Sequence, residues 1–197
     1  MECYVMEKKL DLRIMKTHKA LCDAFMELIC KKKFEDITVN ELCDRSLVRR
    51  ATFYKHFADK YDFFAFFVRK IQEELSEKVT KSSSDGNLDT NTYFLSLFKE
   101  GVYYLGENRT LVKNIVSSTT FSSLLDILSD EIYRNMIIHL KAAEKNGVQM
   151  PGPVLLLSSF YTGGIIYTLR HWVTAQEHVP EEKLIESFEK ILNAFHI

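Results

Sequence analysis

The sequence predicts an all-α fold. Apolar side chains recur at three- and four-residue steps through several long stretches, and no stretch alternates between apolar and polar residues as a strand would. With 197 residues, 46% of them hydrophobic, the chain can bury a core in one or two domains. We expect about nine helices, divided between a three-helix N-terminal domain at residues 1–60 and a larger helical domain at residues 61–197.

The first long helix is predicted over residues 11–32, where one face is apolar. Lys31, Lys32 and Lys33 would close it, since the helix dipole favours cations at this end. The basic residues near its start have two interpretations, a solvated face or phosphate contacts beside a DNA-binding helix. These residues are Lys8, Lys9 and Arg13.

Two short helices joined by a tight turn are predicted in residues 36–60. Thr38 and Glu41 have the spacing of a capping box, so a helix begins near Val39. A second apolar set lies on a different phase and predicts another helix. That set consists of Val48, Phe53 and Phe57. Two such helices form a helix-turn-helix, whose second helix enters the DNA major groove.

The second short helix carries side chains that suit DNA. All of its exposed side chains can form hydrogen bonds, and three have a fixed positive charge. They are Arg49, Arg50, Thr52, Tyr54, Lys55 and His56. We expect Arg50, Thr52 and Lys55 at base edges, because guanidinium, hydroxyl and ammonium groups can hydrogen-bond to the acceptors of the major groove. Arg49, Thr38, Tyr54 and His56 are candidates for phosphate contacts.

Residues 52–60, TFYKHFADK, resemble a motif of the TetR family of transcriptional regulators, Thr-aromatic-Tyr-x-His-Phe-x-x-Lys. Residues 17–68 as a whole are similar to the DNA-binding domain of that family. The resemblance implies a homodimer that binds a pseudo-palindromic DNA operator and carries a C-terminal effector domain. It also implies that Lys60, at a helix N-terminus, meets a phosphate.

Three positions depart from the family pattern. Leu47 replaces the turn glycine, and a side chain takes the left-handed conformation only at a cost, so we expect a slightly different turn. Arg49 replaces a serine and cannot cap the second helix. Ala51 stands where the family commonly has glycine, which affects how closely the backbone approaches DNA.

The remaining helices follow from their caps and breakers. A helix rich in aromatic residues should connect the two domains, and the polar run at residues 82–87 should be a loop. The predicted helices cover residues 60–81, 89–105, 110–116, 120–146, 153–175 and 180–195, with Gly106 and Gly147 closing the second and fourth of these.

The family resemblance places the homodimer interface on the last two helices. Leu184, Phe188, Ile191 and Leu192 would supply part of it. Gly163 and Gly164 each cost about 1 kcal/mol in a helix interior, so they need a close neighbour, either a second helix or a bound ligand. Together with His171-Trp172 they resemble regulators of the dihydroxyacetone kinase coactivator type within the family.

The resemblance also places an effector cavity among the middle helices. Aromatic residues there are candidates for its lining, although aromatic residues at helical spacing equally form a plain core. They are Tyr93, Phe94, Phe98, Tyr103, Tyr104, Phe121, Phe160 and Tyr167. Such a cavity would suit a small apolar or amphipathic effector.

Charge is unevenly distributed, although the net charge is only -1. Residues 1–60 carry 13 Lys and Arg against 10 Asp and Glu, whereas the remainder carries 13 against 17. A basic first third on an acidic remainder suits a protein that contacts DNA at one end.

Other classes of protein are disfavoured. No H-E-x-x-H, G-x-S-x-G, P-loop or G-x-G-x-x-G motif occurs, so we expect no enzyme, no metal and no cofactor. Four cysteines without C-x-x-C spacing fit reduced thiols. No uninterrupted apolar run reaches the length of a membrane span, and the N-terminus lacks a signal-peptide core, so a cytoplasmic location is expected.

Two alternatives stay open. A TetR-like coactivator would bind DNA while its C-terminal domain docks a partner protein, and a filled domain with an exposed apolar patch would favour it. An enclosed cavity would instead favour a ligand receptor. An unrecognised helical enzyme would need polar groups that converge on a cleft.

Overall fold

The computed structural model describes residues 2–82, 90–175 and 179–194. Within these ranges the regular elements are nine α-helices and one short 3-10 helix, and no strand occurs, so the predicted all-α fold is confirmed. The helices are α1 (Glu2–Ile29), α2 (Val39–Ser46), α3 (Arg50–His56), α4 (Lys60–Ser82), α5 (Thr90–Glu107), α6 (Arg109–Val116), α7 (Phe121–Lys145), α8 (Val154–Thr174) and α9 (Glu181–Ala194), with the 3-10 helix at Phe34–Asp36.

The predicted bounds of α1 were wrong at both ends. The helix begins nine residues before the predicted residue 11, at Glu2, because residues 2–29 contain neither glycine nor proline. It ends at Ile29, before the lysine run. There the side-chain amide of Asn114 donates a hydrogen bond of 2.6 Å to the Ile29 carbonyl, which satisfies a carbonyl at the helix end.

The other bounds agree closely, with one exception. Helix α5 runs through Gly106 to Glu107, and the Asn108 side chain then bonds the Tyr104 carbonyl at 2.8 Å. Gly147 follows α7 with φ +89°, the left-handed conformation expected of a closing glycine. Residues 83–87 of the predicted polar loop lie outside the described residues.

The N-terminal helices share an aromatic core. The Phe25 ring of α1 packs edge-on against Phe63 at 5.6 Å and Phe67 at 4.8 Å, both on α4. Phe53 of α3 is fully buried in the same core, which also includes Leu111 of α6. The predicted boundary between residues 60 and 61 therefore lies at a helix start, but the core continues across it.

Two packing contacts organise the C-terminal helices. Helices α5 and α9 meet through the stacked rings of Phe98 and Phe188, whose centroids lie 3.7 Å apart. Helices α7 and α8 pack along a buried face of α8 that includes Ser158 and Thr162, and small side chains there allow the helices to come close.

Lys60, the first residue of α4, holds the segment that precedes α2. Its Nζ donates to the carbonyl oxygens of Phe34 at 3.1 Å, Glu35 at 3.0 Å and Ile37 at 3.0 Å. These three bonds use all three hydrogens of the ammonium group. The ammonium also lies 4.8 Å from the Phe34 ring centroid. Burial lowers the pKa of Lys60, and the charges of Glu35 and Asp36 oppose that shift.

The Glu35 carboxylate ties the same segment to the start of α7. It accepts a hydrogen bond from the Ser118 hydroxyl and one of 3.0 Å from the Thr119 backbone N–H. The Ser118 bond first, and then the Thr119 bond, lower the pKa of Glu35 to about 2. An anion is favoured here because the positive end of α7 begins at Phe121.

We predict that Glu35→Gln lowers the stability of the fold in a pH-dependent way. The folded pKa lies below the ordinary value of 4.5, so the stabilisation is complete above that value and is lost as the pH falls through about 2. Urea unfolding followed by circular dichroism should show a gap between native chain and variant that narrows in acid. A gap that stays constant with pH would contradict this role, and Glu189→Gln on the exposed face of α9 is the matched control.

Candidate DNA-binding helix and apolar cavity

The start of α2 has the predicted capping box. The Thr38 Oγ1 accepts from the Glu41 N–H at 3.2 Å, and the Glu41 carboxylate accepts from the Thr38 N–H at 3.0 Å. Ile37 before the cap and Leu42 after it are both buried, as a hydrophobic staple requires. The hydroxyl of Thr38 therefore already has a partner, while the residue as a whole stays exposed.

The turn between α2 and α3 differs from the expectation. Leu47 does adopt the left-handed conformation, with φ 56° and ψ 27°, so the turn keeps the geometry that a glycine would give. The N–H of Val48 bonds the Cys43 carbonyl at 3.0 Å, which closes the helix as a Schellman motif does. The Leu47 side chain is 93% exposed and meets no steric obstacle, so only the backbone cost of about 1–2 kcal/mol is incurred.

Helix α3 buries one face and exposes the other. Phe53 and Phe57 are buried beneath it, and the exposed residues are Arg50, Ala51, Tyr54 and Lys55. Arg49 stands at the N-cap without a side-chain cap bond, as expected of an arginine. Thr52 is half-buried. The guanidinium groups of Arg49 and Arg50 and the Lys55 ammonium form no ion pair with the described residues, so this face is cationic.

His56 ends α3 in a half-buried position. Its ring meets the His18 ring of α1 edge-on, with centroids 4.9 Å apart. Burial lowers the pKa of His18, and the charges of His56 and Lys70 lower it further. The His56 ring therefore contributes to packing between α1 and α3, and a phosphate contact from it stays a prediction.

Lys60 does not fit the expected phosphate contact. Its ammonium group points into the protein, where three backbone carbonyls occupy all of its donors. The sequence could not show this, because the motif places a lysine beside a helix N-terminus but does not determine the direction of its side chain. The side chain of Lys60 is therefore assigned to positioning α2, and it is removed from the DNA-contacting set.

An apolar cavity of about 190 Å³ lies among α4, α5, α6, α7 and α8. Of the predicted aromatic residues, Phe94, Phe98 and Tyr104 line it. The sequence did not point to the contribution of α4, which is substantial because α4 has apolar side chains on more than one face. The α4 residues that line the cavity are Phe64, Phe67, Val68, Ile71, Gln72 and Leu75.

The other predicted lining residues lie elsewhere. The Tyr93 hydroxyl bonds Ser76 at 2.8 Å and His139 Nε2 at 3.0 Å, outside the cavity. Tyr103 packs with the α5–α9 cluster, and Phe121 begins α7 near the Arg170 guanidinium. Phe160 and Tyr167 are 57% and 73% exposed on the outer face of α8. An aromatic residue at helical spacing can face either way, so the sequence could not separate these positions.

The predicted dimer residues divide into two groups. Phe188 and Leu192 are buried against α5 inside the protomer, so the expectation for these two was wrong. Leu184 packs at the edge of the same cluster but stays half-buried, and its place in the interface stays a prediction. The other three predicted residues are exposed in the protomer. Ile191 is 54% exposed, and a Cβ placed on Gly163 or Gly164 would meet no atom within 4 Å. The two glycines therefore face open space on α8 and do not wall the cavity.

A polar contact between α4 and α7 borders the cavity. Arg69 and the buried Glu131 are 2.8 Å apart, and Arg134 is 3.5 Å from the same carboxylate. One helical turn further along, the Asn135 amide donates to Gln72 Oε1 at 3.2 Å. These paired groups fix how α4 lies against α7.

The described residues contain no group of three or more His, Cys, Asp or Glu side chains placed to hold a metal ion. Among the same residues, no helix combines the length and the apolar character needed to cross a membrane.

The sequence resembles those of known transcriptional regulators. A TetR family model described as transcriptional regulator C-terminal region matches residues 92–194, just over half of the chain. The uncharacterised HTH-type transcriptional regulator YxbF of Bacillus subtilis is 33% identical over 79 residues. That match covers 40% of this chain and only 21% of the relative, so the chain spans about a fifth of the relative's length.

Solved structures share the fold at low identity. A protein of Syntrophomonas wolfei described as a TetR-family transcriptional regulator has a TM-score of 0.65 and 17% identity, covering 92% of this chain and 95% of its own. The dihydroxyacetone kinase operon activator DhaS has a TM-score of 0.58 and 16% identity, covering 91% of this chain and 95% of its own. FadR of Bacillus subtilis, in complex with stearoyl-CoA, has a TM-score of 0.56 and 14% identity, covering 88% of this chain and 96% of its own. Together with the family match, the fold shows that the chain belongs to the TetR family of transcriptional regulators.

Proposed function

We propose that this chain is a homodimeric DNA-binding transcriptional repressor that releases its operator when a small, mainly apolar ligand occupies the cavity. One observation carries the proposal, which is that α4 joins the two sites. Phe63 of α4 packs against Phe57 at 5.2 Å beneath α3, the recognition helix of the helix-turn-helix. The next residue, Phe64, lines the cavity together with Phe67.

Recognition of DNA is assigned to α3. Arg50, Thr52 and Lys55 are proposed at base edges, where guanidinium, hydroxyl and ammonium groups meet the acceptors of the major groove. Arg49, Thr38, Tyr54 and His56 are proposed as phosphate contacts. The cations on this face lack ion-pair partners in the described part of the chain, so phosphates could neutralise them without breaking a protein contact.

Dimerisation is assigned to the outer face of α8. This face carries exposed apolar residues along one stripe, and glycines at its centre would let a second helix come close. The stripe, which we name the α8 patch, consists of Leu156, Phe160, Gly163, Gly164 and Tyr167. Exposed Ile191 of α9 would extend it. A two-fold dimer would present two recognition helices to a pseudo-palindromic operator, acting on DNA in the cytoplasm.

The ligand acts by shifting the population of conformers. A cavity wall that contains Phe64 and Phe67 must move or stiffen when the cavity fills, and those residues belong to the core beneath α3. An engineered apolar cavity of about 150 Å³ holds benzene. By that measure the 190 Å³ here suits a ligand of about eight non-hydrogen atoms. A whole stearoyl chain is larger, so the proposed ligand is a shorter or cyclic molecule.

The coactivator alternative rests on the exposed α8 patch, because a partner protein could cover it instead of a second copy. The pocket of about 190 Å³ favours the ligand receptor, since its mainly apolar lining suits a small apolar ligand. The oligomeric state separates these two functions.

Replacing Arg50 by Ala should weaken specific DNA binding by about 1–3 kcal/mol, because it removes one donor to a base edge. The measurement is a band-shift titration at fixed salt on the DNA upstream of the chain's own gene. Lys113→Ala on the exposed face of α6 is the control that removes a cation away from α3. Equal affinity of the Arg50 variant and the native chain would refute this assignment.

Replacing Gly163 by Leu should leave the protomer folded but weaken the dimer. The position faces open space within the protomer, whereas a bulky side chain would overpack a close helix contact at a cost of about 1–3 kcal/mol. Sedimentation equilibrium measures the dimer constant, with Lys113→Leu as the control. A native chain that is monomeric at micromolar concentration would overturn the homodimer and favour the coactivator.

A further inference from the structure

The cavity follows α4 and α5 along their length. Its lining residues on α4 extend over residues 64–75, and those on α5 extend over residues 94–105. Each stretch corresponds to a rise of about 16 Å along its helix. The helices run in opposite directions, because the Ser76 hydroxyl near the end of α4 bonds the Tyr93 hydroxyl near the start of α5 at 2.8 Å. Both helices therefore flank the cavity over the same distance.

Helix α7 flanks the cavity along the same course. It runs in the direction of α4, since Arg69 pairs with Glu131 at 2.8 Å and Gln72 bonds Asn135 at 3.2 Å. Its lining residues extend over residues 128–136, a rise of about 12 Å. The cavity is therefore a channel with three helices along its sides, and its shape is elongated.

A volume of about 190 Å³ makes this channel narrow. Spread over about 16 Å, the volume gives a mean cross-section of about 12 Å². Carbon atoms in contact lie about 3.5–4.0 Å apart, so a single hydrocarbon chain about 4 Å wide has nearly the same cross-section. A six-membered ring is as thin as a chain in one direction but much wider in the other, so a ring fits this channel less well.

The length of the channel agrees with the number of atoms that its volume can hold, about eight. An extended chain advances about 1.2 Å per bond, so eight carbon atoms span roughly 8 Å between the end atoms. Their contact surfaces bring this length to about 12 Å. Such a chain fits between Phe64 at one end of the lining and Leu75 and Phe94 at the other.

We propose that the cavity selects an unbranched alkyl chain of about eight carbon atoms over compact or branched apolar bodies of the same size. This inference rests on the proposed function, because it takes the cavity as the effector site. None of the lining residues in the described part of the chain is charged, so apolar contact along the alkyl chain supplies the affinity.

Gly101 leaves room for the alkyl chain to pass along α5. It belongs to the lining, and a Cβ placed on it would meet no atom within 4 Å. A valine at this position would narrow the channel between its two ends. The part of the channel beside residues 94–101, about 10 Å long, would stay open and could hold a shorter chain.

The first experiment compares two isomers with eight carbon atoms each, n-octane and the branched 2,2,4-trimethylpentane. Headspace gas chromatography over solutions of the full chain measures how much of each hydrocarbon the protein binds. Each affinity is divided by the partition coefficient of that isomer from water into hexadecane, which removes the difference in hydrophobicity. We expect n-octane to bind at least about tenfold more tightly, equivalent to about 1.4 kcal/mol.

The failures of the two proposals are distinguishable in this experiment. Binding of the branched isomer that equals or exceeds that of n-octane would overturn the selection of an unbranched chain while leaving the cavity as a ligand site. If neither isomer binds the native chain, the ligand-receptor function itself fails.

The second experiment uses the variant Gly101→Val with n-octane and n-butane as probes. We expect the affinity for n-octane to fall about tenfold or more, because the longer chain must pass the narrowed point. The affinity for n-butane should stay within about twofold, since four carbon atoms fit in the part that remains open. Lys99→Val, on the exposed face of the same helix, is the matched control. Equal losses for both probes in the Gly101 variant would contradict a chain that extends past this residue.

Discussion

Aromatic packing along α4 is the constraint on which the rest of the structure depends. Phe63 packs in the core beneath α3, while Phe64 and Phe67 form part of the cavity wall. These three rings follow one another within about one helical turn, so they move as one body. Protein interiors are packed too densely to absorb a displaced ring locally. On the proposed function, these rings would transmit a change in the cavity to α3.

A second connection runs through α6. Leu111 and Ile115 line the cavity, and between them Asn114 holds the end of α1 through the Ile29 carbonyl. Just after α6, Ser118 and Thr119 hold Glu35, which stands immediately before the helix-turn-helix. The DNA-binding helices are therefore attached to the cavity walls on two sides. This arrangement resists independent rocking of the two parts, so on the proposed function a bound ligand would bias the orientation of α3 as a unit.

Local signals made much of the N-terminal site predictable. The capping box at Thr38 depends on a spacing of three residues, and the exposed face of α3 follows from helical periodicity. The left-handed Leu47 and the inward-pointing Lys60 could not be predicted, because backbone hydrogen bonds and distant carbonyls decide them. The cavity was harder still. Phe160 has the spacing of a lining residue but lies on the outer face of α8, and only three-dimensional packing distinguishes the two.

The central claim is that filling the cavity releases DNA, and a substitution can test it without a ligand. Gly101 lines the cavity, and a Cβ placed there meets no atom within 4 Å, so Gly101→Leu would fill the space from α5. The measurement is the affinity of the native chain and the variant for DNA upstream of the gene, with circular dichroism to confirm folding. The account predicts a folded variant that binds at least about tenfold more weakly, equivalent to about 1.4 kcal/mol. A folded variant with native affinity would contradict it.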